Sequence, residues 1–231
     1  MAANYRHIGG GENRLGRHYS RFSAFCPPQP LPVNHLLCEN CRTQGRIGEI
    51  GLGSVAPVGV TFFGRVNLSP KLFRSQHQRL PAILTHELSH AHIQGWIGEP
   101  AYVLGLPNWF KEGLAVMVSG GGGAELVSEE EARAAIQRGE QIAIYDAGSL
   151  HNMAVIRFER APAKTASWYP VVLAYRQAGM FVNYLRELDG PAFDRMMNAA
   201  LDGRPFAEAV TVGYHDDLRS LWQKFIKSRS P

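Results

Sequence analysis

No apolar run of about eighteen residues occurs in this 231-residue chain, so no membrane-crossing helix is expected. The N-terminus lacks the apolar core of a signal peptide, so a soluble chain is expected, in a compartment the sequence does not define. Cysteine is scarce, and Cys26, Cys38 and Cys41 all fall in the first fifth of the chain. Cys38 and Cys41 have the spacing of half a zinc ribbon. The other half is missing unless Cys26 and His35 complete it, so a structural zinc there is the weaker expectation. A disulfide would fit an exported protein and free thiols a reducing compartment. No thioredoxin-like strand and helix surround the pair, which argues against a redox function. The glycine run Gly120 to Gly123 is not followed by Lys-Ser or Lys-Thr, which excludes a phosphate-binding P-loop. Charge of one sign is not concentrated either. The net charge is +4 and the pI about 9.1, with basic and acidic residues interleaved, so no nucleic-acid partner is expected. The most basic stretch, Arg6, Arg14, Arg17 and Arg21 against Glu12, reads as a solvated arm.

At 45% hydrophobic composition the chain can bury a substantial core. Residues 1–45 read as an N-terminal arm carrying the cysteine cluster, and residues 46–231 as one domain. Two short runs, Val58 to Phe63 and Arg65 to Leu68, have the β-branched and aromatic content of strands. Ser69 and Pro70 then open a helical stretch as N-cap and first residue. Ser128 and Glu131 form a capping box for a short helix ending near Arg138. Residues 139–168 are irregular. The final third is helical, over Tyr169 to Leu188, Pro191 to about Leu201, Pro205 to Val210 and Asp216 to Ile226.

One segment specifies a chemistry. In His86-Glu87-Leu88-Ser89-His90 the histidines are four apart, so on a helix both imidazoles can address one metal ion while Glu87 lies one step round the same groove. That pattern supplies two zinc ligands and a general base. Leu80, Ile83, Leu84, Leu88 and Ala91 give the helix an apolar stripe, Pro81 suits its first turn and Gly95 its end. A hydrolytic zinc needs a third protein ligand and one open position for water. The metzincin pattern would place that ligand at Trp96 and a glycine at Ile93, so it is excluded. After a Gly- and Pro-rich stretch expected to be a loop, Asn108 reads as the N-cap of a second helix carrying Glu112.

In the order and context of these residues, with Trp109-Phe110-Lys111-Glu112-Gly113-Leu114-Ala115 following the histidine pair, the chain resembles the gluzincin metallopeptidases, the thermolysin-like and aminopeptidase-like group. The resemblance covers residues 58 to 226 in element order and is specific around 86–90 and 109–115. It implies an α+β fold: a small twisted β-sheet, a zinc-binding helix, a glutamate helix and a helical C-terminal part. It also implies Glu112 as the third ligand to a catalytic Zn2+, and an edge strand on which a peptide or protein substrate is laid.

A gluzincin also needs a donor to the oxyanion of the tetrahedral intermediate. The segment from Ala174 to Leu185 resembles the aminopeptidase-like helix that carries this tyrosine, which points to Tyr175, with Tyr169 and His151 as substitutes. Those enzymes commonly place Lys-Gly directly after the tyrosine, whereas here Arg176, Gln177 and Ala178 follow Tyr175 and the glycine comes at Gly179. The expected function is peptide-bond hydrolysis with His86, His90 and Glu112 as metal ligands and Glu87 and Tyr175 as catalytic residues. Endopeptidase action is favoured because no Gly-x-Met-Glu-Asn segment is present to anchor a free amine. The alternative is a catalytically quiet, zinc-bound module that captures peptide or protein.

Overall fold

The computed structural model describes residues 57–145 and 156–229. All of them lie within Asn34–Pro231. The arm, its cysteines, His35 and His151 lie outside the described residues.

The first elements among the described residues form an antiparallel hairpin, β1 (Gly59–Phe62) and β2 (Arg65–Leu68), in register from Gly59 opposite Leu68 to Phe62 opposite Arg65. Both residues of its two-residue turn have positive φ, Phe63 at 49° and Gly64 at 69°. Such a turn matches the right-handed twist of the strands, but a phenylalanine in the left-handed region costs about 1–2 kcal/mol. The Gly64 amide donates to Gln94 Oε1 at 2.9 Å, which ties the tip of the hairpin to the histidine helix.

Ser69 caps α1 (Pro70–Arg74), its hydroxyl accepting from the Lys71 amide, as the sequence leads one to expect. A 3-10 turn over His77–Arg79 leads into α2 (Leu80–Ile97), with Pro81 in its first turn. Gly95 does not end this helix. It lies exposed inside α2, and the helix stops at Gly98, whose φ of 78° is open to a residue without Cβ. The stretch expected as a loop contains a further helix, α3 (Glu99–Gly105), with Pro100 in its first turn. The glutamate helix α4 (Asn108–Val118) follows. Its N-cap is Pro107 in extended conformation, and Asn108 is the first helical residue.

Ser128 caps α5 (Glu129–Gln137) by accepting from the Glu131 amide at 3.2 Å. The return half of the expected capping box is replaced by an ion pair between Glu131 and Lys164. The C-terminal part is helical: α6 (Tyr169–Leu188), α7 (Gly190–Leu201), α8 (Phe206–Tyr214) and α9 (Leu218–Ser228). Asp189 and Asp217 cap α7 and α9 through their carboxylates. The described residues are thus mostly helical with one two-stranded sheet, consistent with the α+β class. None of the described helices is long and apolar enough to cross a membrane.

The core explains where the glutamate helix sits. Trp109 and Phe110, both without exposure, precede Glu112 by three and two residues. Trp109 packs on Phe181 of α6 at 5.4 Å between ring centroids, and Phe110 on Phe206 of α8 at 4.7 Å. Phe181 continues the cluster to Trp222 and Phe225 of α9. Close approach of α4 and α6 depends on glycine. A Cβ on Gly113 would lie 2.6 Å from the Ala178 carbonyl oxygen, and one on Gly179 would lie 2.5 Å from Val116 Cγ1. Gly113 follows the candidate ligand directly, so the contact that seats the helix also sets the depth of Glu112.

Candidate metal centre

On α2 the buried side chains are Ile83, Ala91 and Ile93 together with several polar ones. His86 is 4% exposed, Glu87 6% and His90 7%, while Leu84 and Leu88 of the apolar stripe are only half-buried. Burying three ionisable groups is costly unless they find partners or a metal. Their partners lie on α4, on β1, in α3 and in the glycine loop after α4.

Glu112 Oε2 lies 3.2 Å from His86 Nε2 and 3.6 Å from His90 Nε2. The ligand atoms of the three residues all fall within 4.8 Å of one another. Tetrahedral zinc with bonds near 2.0–2.1 Å separates its N and O ligands by about 3.4 Å, a value that the two histidine–glutamate separations bracket. The imidazole rings meet edge to face with centroids 4.8 Å apart.

Hydrogen-bond chemistry supplies a more stringent test. His86 Nδ1 lies 2.9 Å from the Gly122 carbonyl oxygen, which can only accept, so Nδ1 carries a proton. In the neutral ring Nε2 is then a bare lone pair facing a carboxylate, an arrangement that needs either a proton or a metal ion between them. His90 Nδ1 is in turn engaged by the Tyr102 hydroxyl at 2.7 Å. Each histidine thus has its far nitrogen held and its near nitrogen turned to the carboxylate, as metal-binding histidines have. The donor set fits a zinc ion.

Electrostatics agree with the geometry. Burial alone would raise the Glu112 carboxyl, but the His90 charge, hydrogen bonds to both imidazoles and the His86 charge hold it well below the usual carboxylate range. Burial disfavours charged His86, yet the hydrogen bond and charge of Glu112, the Glu87 charge and the Gly122 carbonyl outweigh it and the pKa is raised. Without metal, a proton takes the cation's place.

Glu87 is not one of the converging ligands. Its carboxylate is held against β1, where the Thr61 hydroxyl lies 2.8 Å from Oε2 and 3.0 Å from the Glu87 carbonyl oxygen. A Cβ at Gly59 would sit 2.7 Å from Oε1, so the strand passes directly over the carboxylate. Burial raises the pKa of Glu87, and the charges of His90 and His86 and the Thr61 hydrogen bond offset only part of that. A carboxylate so raised binds a proton more readily, which is what a general base needs.

Tyr175 of α6 stacks beside His86, with centroids 6.1 Å apart and planes 18° from parallel. Burial, the charges of Glu112 and Glu87 and a hydrogen bond to Glu112 raise its pKa well above that of a free phenol, so the hydroxyl keeps its proton. Tyr169, the substitute donor, lies elsewhere, with the Lys164 ammonium 4.7 Å from its ring centroid and Glu131 of α5 nearby. Sequence reasoning did not find Thr61, Tyr102 or Gly122. The first two carry no motif, and the third acts through its main-chain carbonyl. Gly122 owes its place to a contact, since a Cβ there would lie 2.5 Å from the Ala82 carbonyl of α2.

No family model, curated protein or solved structure matches this chain. The case for a metal centre therefore rests on the residues themselves, a group of two histidines and a glutamate able to hold a metal ion.

Proposed function

We propose that the chain is a zinc-dependent peptide-bond hydrolase of gluzincin type, with His86, His90 and Glu112 as ligands. The observation that carries this reading is the convergence of two imidazole nitrogens on one carboxylate with Glu87 held beside them. Zinc bound there supplies Lewis acidity and lowers the pKa of a water towards neutrality.

Glu87 takes a proton from the water as its oxygen attacks the peptide carbonyl carbon. The carbon–nitrogen bond breaks, and Glu87 hands the proton to the leaving amine. Thr61 holds the carboxylate in one orientation during both transfers, and Tyr175 donates a hydrogen bond to the oxyanion between them. Substrate lies along β1, the strand that passes over Glu87, and internal bonds are cut in preference to terminal ones.

The test is hydrolysis of quenched fluorescent peptides by zinc-loaded wild type and Glu87→Gln. The variant keeps its zinc and loses about 10²–10⁴-fold in kcat. Peptides with acetylated and free N-termini are cut alike. Full turnover by Glu87→Gln would remove the base, and no turnover by zinc-loaded wild type would leave the peptide-binding module as the reading.

A further inference from the structure

The two candidate ligand histidines are presented by different means. His86 Nδ1 meets a carbonyl, which fixes the tautomer of the neutral ring with its lone pair on Nε2. His90 Nδ1 meets a phenol, which can donate or accept, so its tautomer is not fixed by its partner alone. What is fixed is the plane of the His90 ring, through a 2.7 Å contact to a tyrosine that is itself held.

Tyr102 is 6% exposed and sits on α3, where its amide donates to the Gly98 carbonyl at 3.0 Å. The Lys111 ammonium stands 4.8 Å from its ring centroid and donates to its carbonyl oxygen at 3.4 Å. Lys111 is only 4% exposed and directly precedes Glu112. A buried lysine needs such partners, and a cation over an aromatic face is one of the few that an apolar interior offers. The same ammonium thus joins the helix bearing Glu112 to the tyrosine that braces His90.

We propose that Tyr102 is a positioning residue of the metal centre, holding the His90 imidazole with Nε2 turned to the ion, and that Lys111 clamps Tyr102 in register with Glu112. This inference rests on the metal-centre reading and extends it to residues outside the ligand set. In the metal-bound state His90 Nδ1 carries the proton and donates to the phenol oxygen. Without metal the phenol can donate to Nδ1 and leave Nε2–H to face Glu112. Removing the hydroxyl deprives both states of their partner while the ring, its packing and the lysine above it remain.

The experiment measures zinc dissociation constants of the full chain by competition with a chromophoric chelator, together with the melting temperature of the metal-free protein. Loss of a hydrogen-bond partner behind a metal ligand typically weakens affinity about 10–100-fold, and Tyr102→Phe falls in that range. Lys111→Met weakens zinc in the same direction by a smaller factor. Tyr214→Phe is the control, because its hydroxyl donates to the Leu185 carbonyl among the C-terminal helices, and its affinity is that of wild type. Zinc binding by Tyr102→Phe within twofold of wild type overturns the proposal, as does an equal loss in Tyr214→Phe. A Tyr102→Phe variant with a lower melting temperature and unchanged affinity assigns the residue to packing and also overturns it. Weaker zinc in Tyr102→Phe with no hydrolysis by wild type upholds the inference and removes the peptidase reading. No zinc on wild type removes both.

Discussion

At the scale of single residues, the decisive fact is that a carboxylate faces two imidazole nitrogens. Glu112 lies against Nε2 of both rings, and the Gly122 carbonyl holds the His86 Nδ1 proton, so a neutral His86 ring turns a lone pair to that carboxylate. Either a proton or a metal must stand between them, and three converging ligands favour the metal. Tyr175 has a separate task in this account. Its hydroxyl stays protonated and lies by Glu112, where it can donate to an oxyanion but cannot act as a base. Tyr175→Phe is therefore expected to lower kcat by about 10²–10³-fold with KM little changed and zinc retained. Steady-state kinetics check this, and wild-type kcat in Tyr175→Phe would assign the oxyanion to another donor.

At the scale of elements, the position of the candidate ligand Glu112 comes from a helix contact with no room for a side chain. Gly113 lets α4 lie against the Ala178 carbonyl of α6, while Gly95 in α2 has nothing within 4 Å of where a Cβ would stand. Gly113→Ala is expected to destabilise the metal-free protein by about 1–3 kcal/mol, because the obstructing atom is backbone and cannot turn aside. Gly95→Ala is expected to stabilise it by up to about 1 kcal/mol, since alanine is the better helix former and the site is open. Denaturant unfolding measures both, and equal stabilities would contradict the packing account. The same pair shows how far the sequence could be read. The i, i+4 histidines were legible because a helix can align them only on one face, and Glu112 because its neighbours resemble a known ligand helix. In the sequence Gly95 reads as a helix end because glycine often marks one. The true stop, Gly98, is distinguished by a positive φ that composition does not reveal. Helix α3 was invisible for a related reason, as its glycine and proline content suggested a loop. With α3 went Tyr102, and no side-chain pattern could have announced the Gly122 carbonyl.

At the scale of the whole molecule, the aromatic cluster of Trp109, Phe181, Trp222 and Phe225 makes the C-terminal helices the support on which the glutamate helix rests. The histidine helix is held from the other side by the hairpin, through Thr61 on Glu87 and Gly64 on Gln94. A metal ion bridging α2 and α4 would therefore link the hairpin side of the domain to its helical side. Binding to the folded state alone stabilises by about 2.7 kcal/mol when free zinc is 100 times its dissociation constant. For a chain of this size that is a rise in melting temperature of about 5–10 °C, reversed by a chelator and restored by zinc. A melting curve indifferent to both would argue against an ion joining the two helices.

The central claim is that His86, His90 and Glu112 hold one zinc, and elemental analysis tests it most directly. Purified wild type and His90→Ala, both zinc-replete, are analysed side by side. The account predicts one zinc more per chain in wild type than in the variant. Equal zinc in the two proteins, or none in wild type, would contradict it.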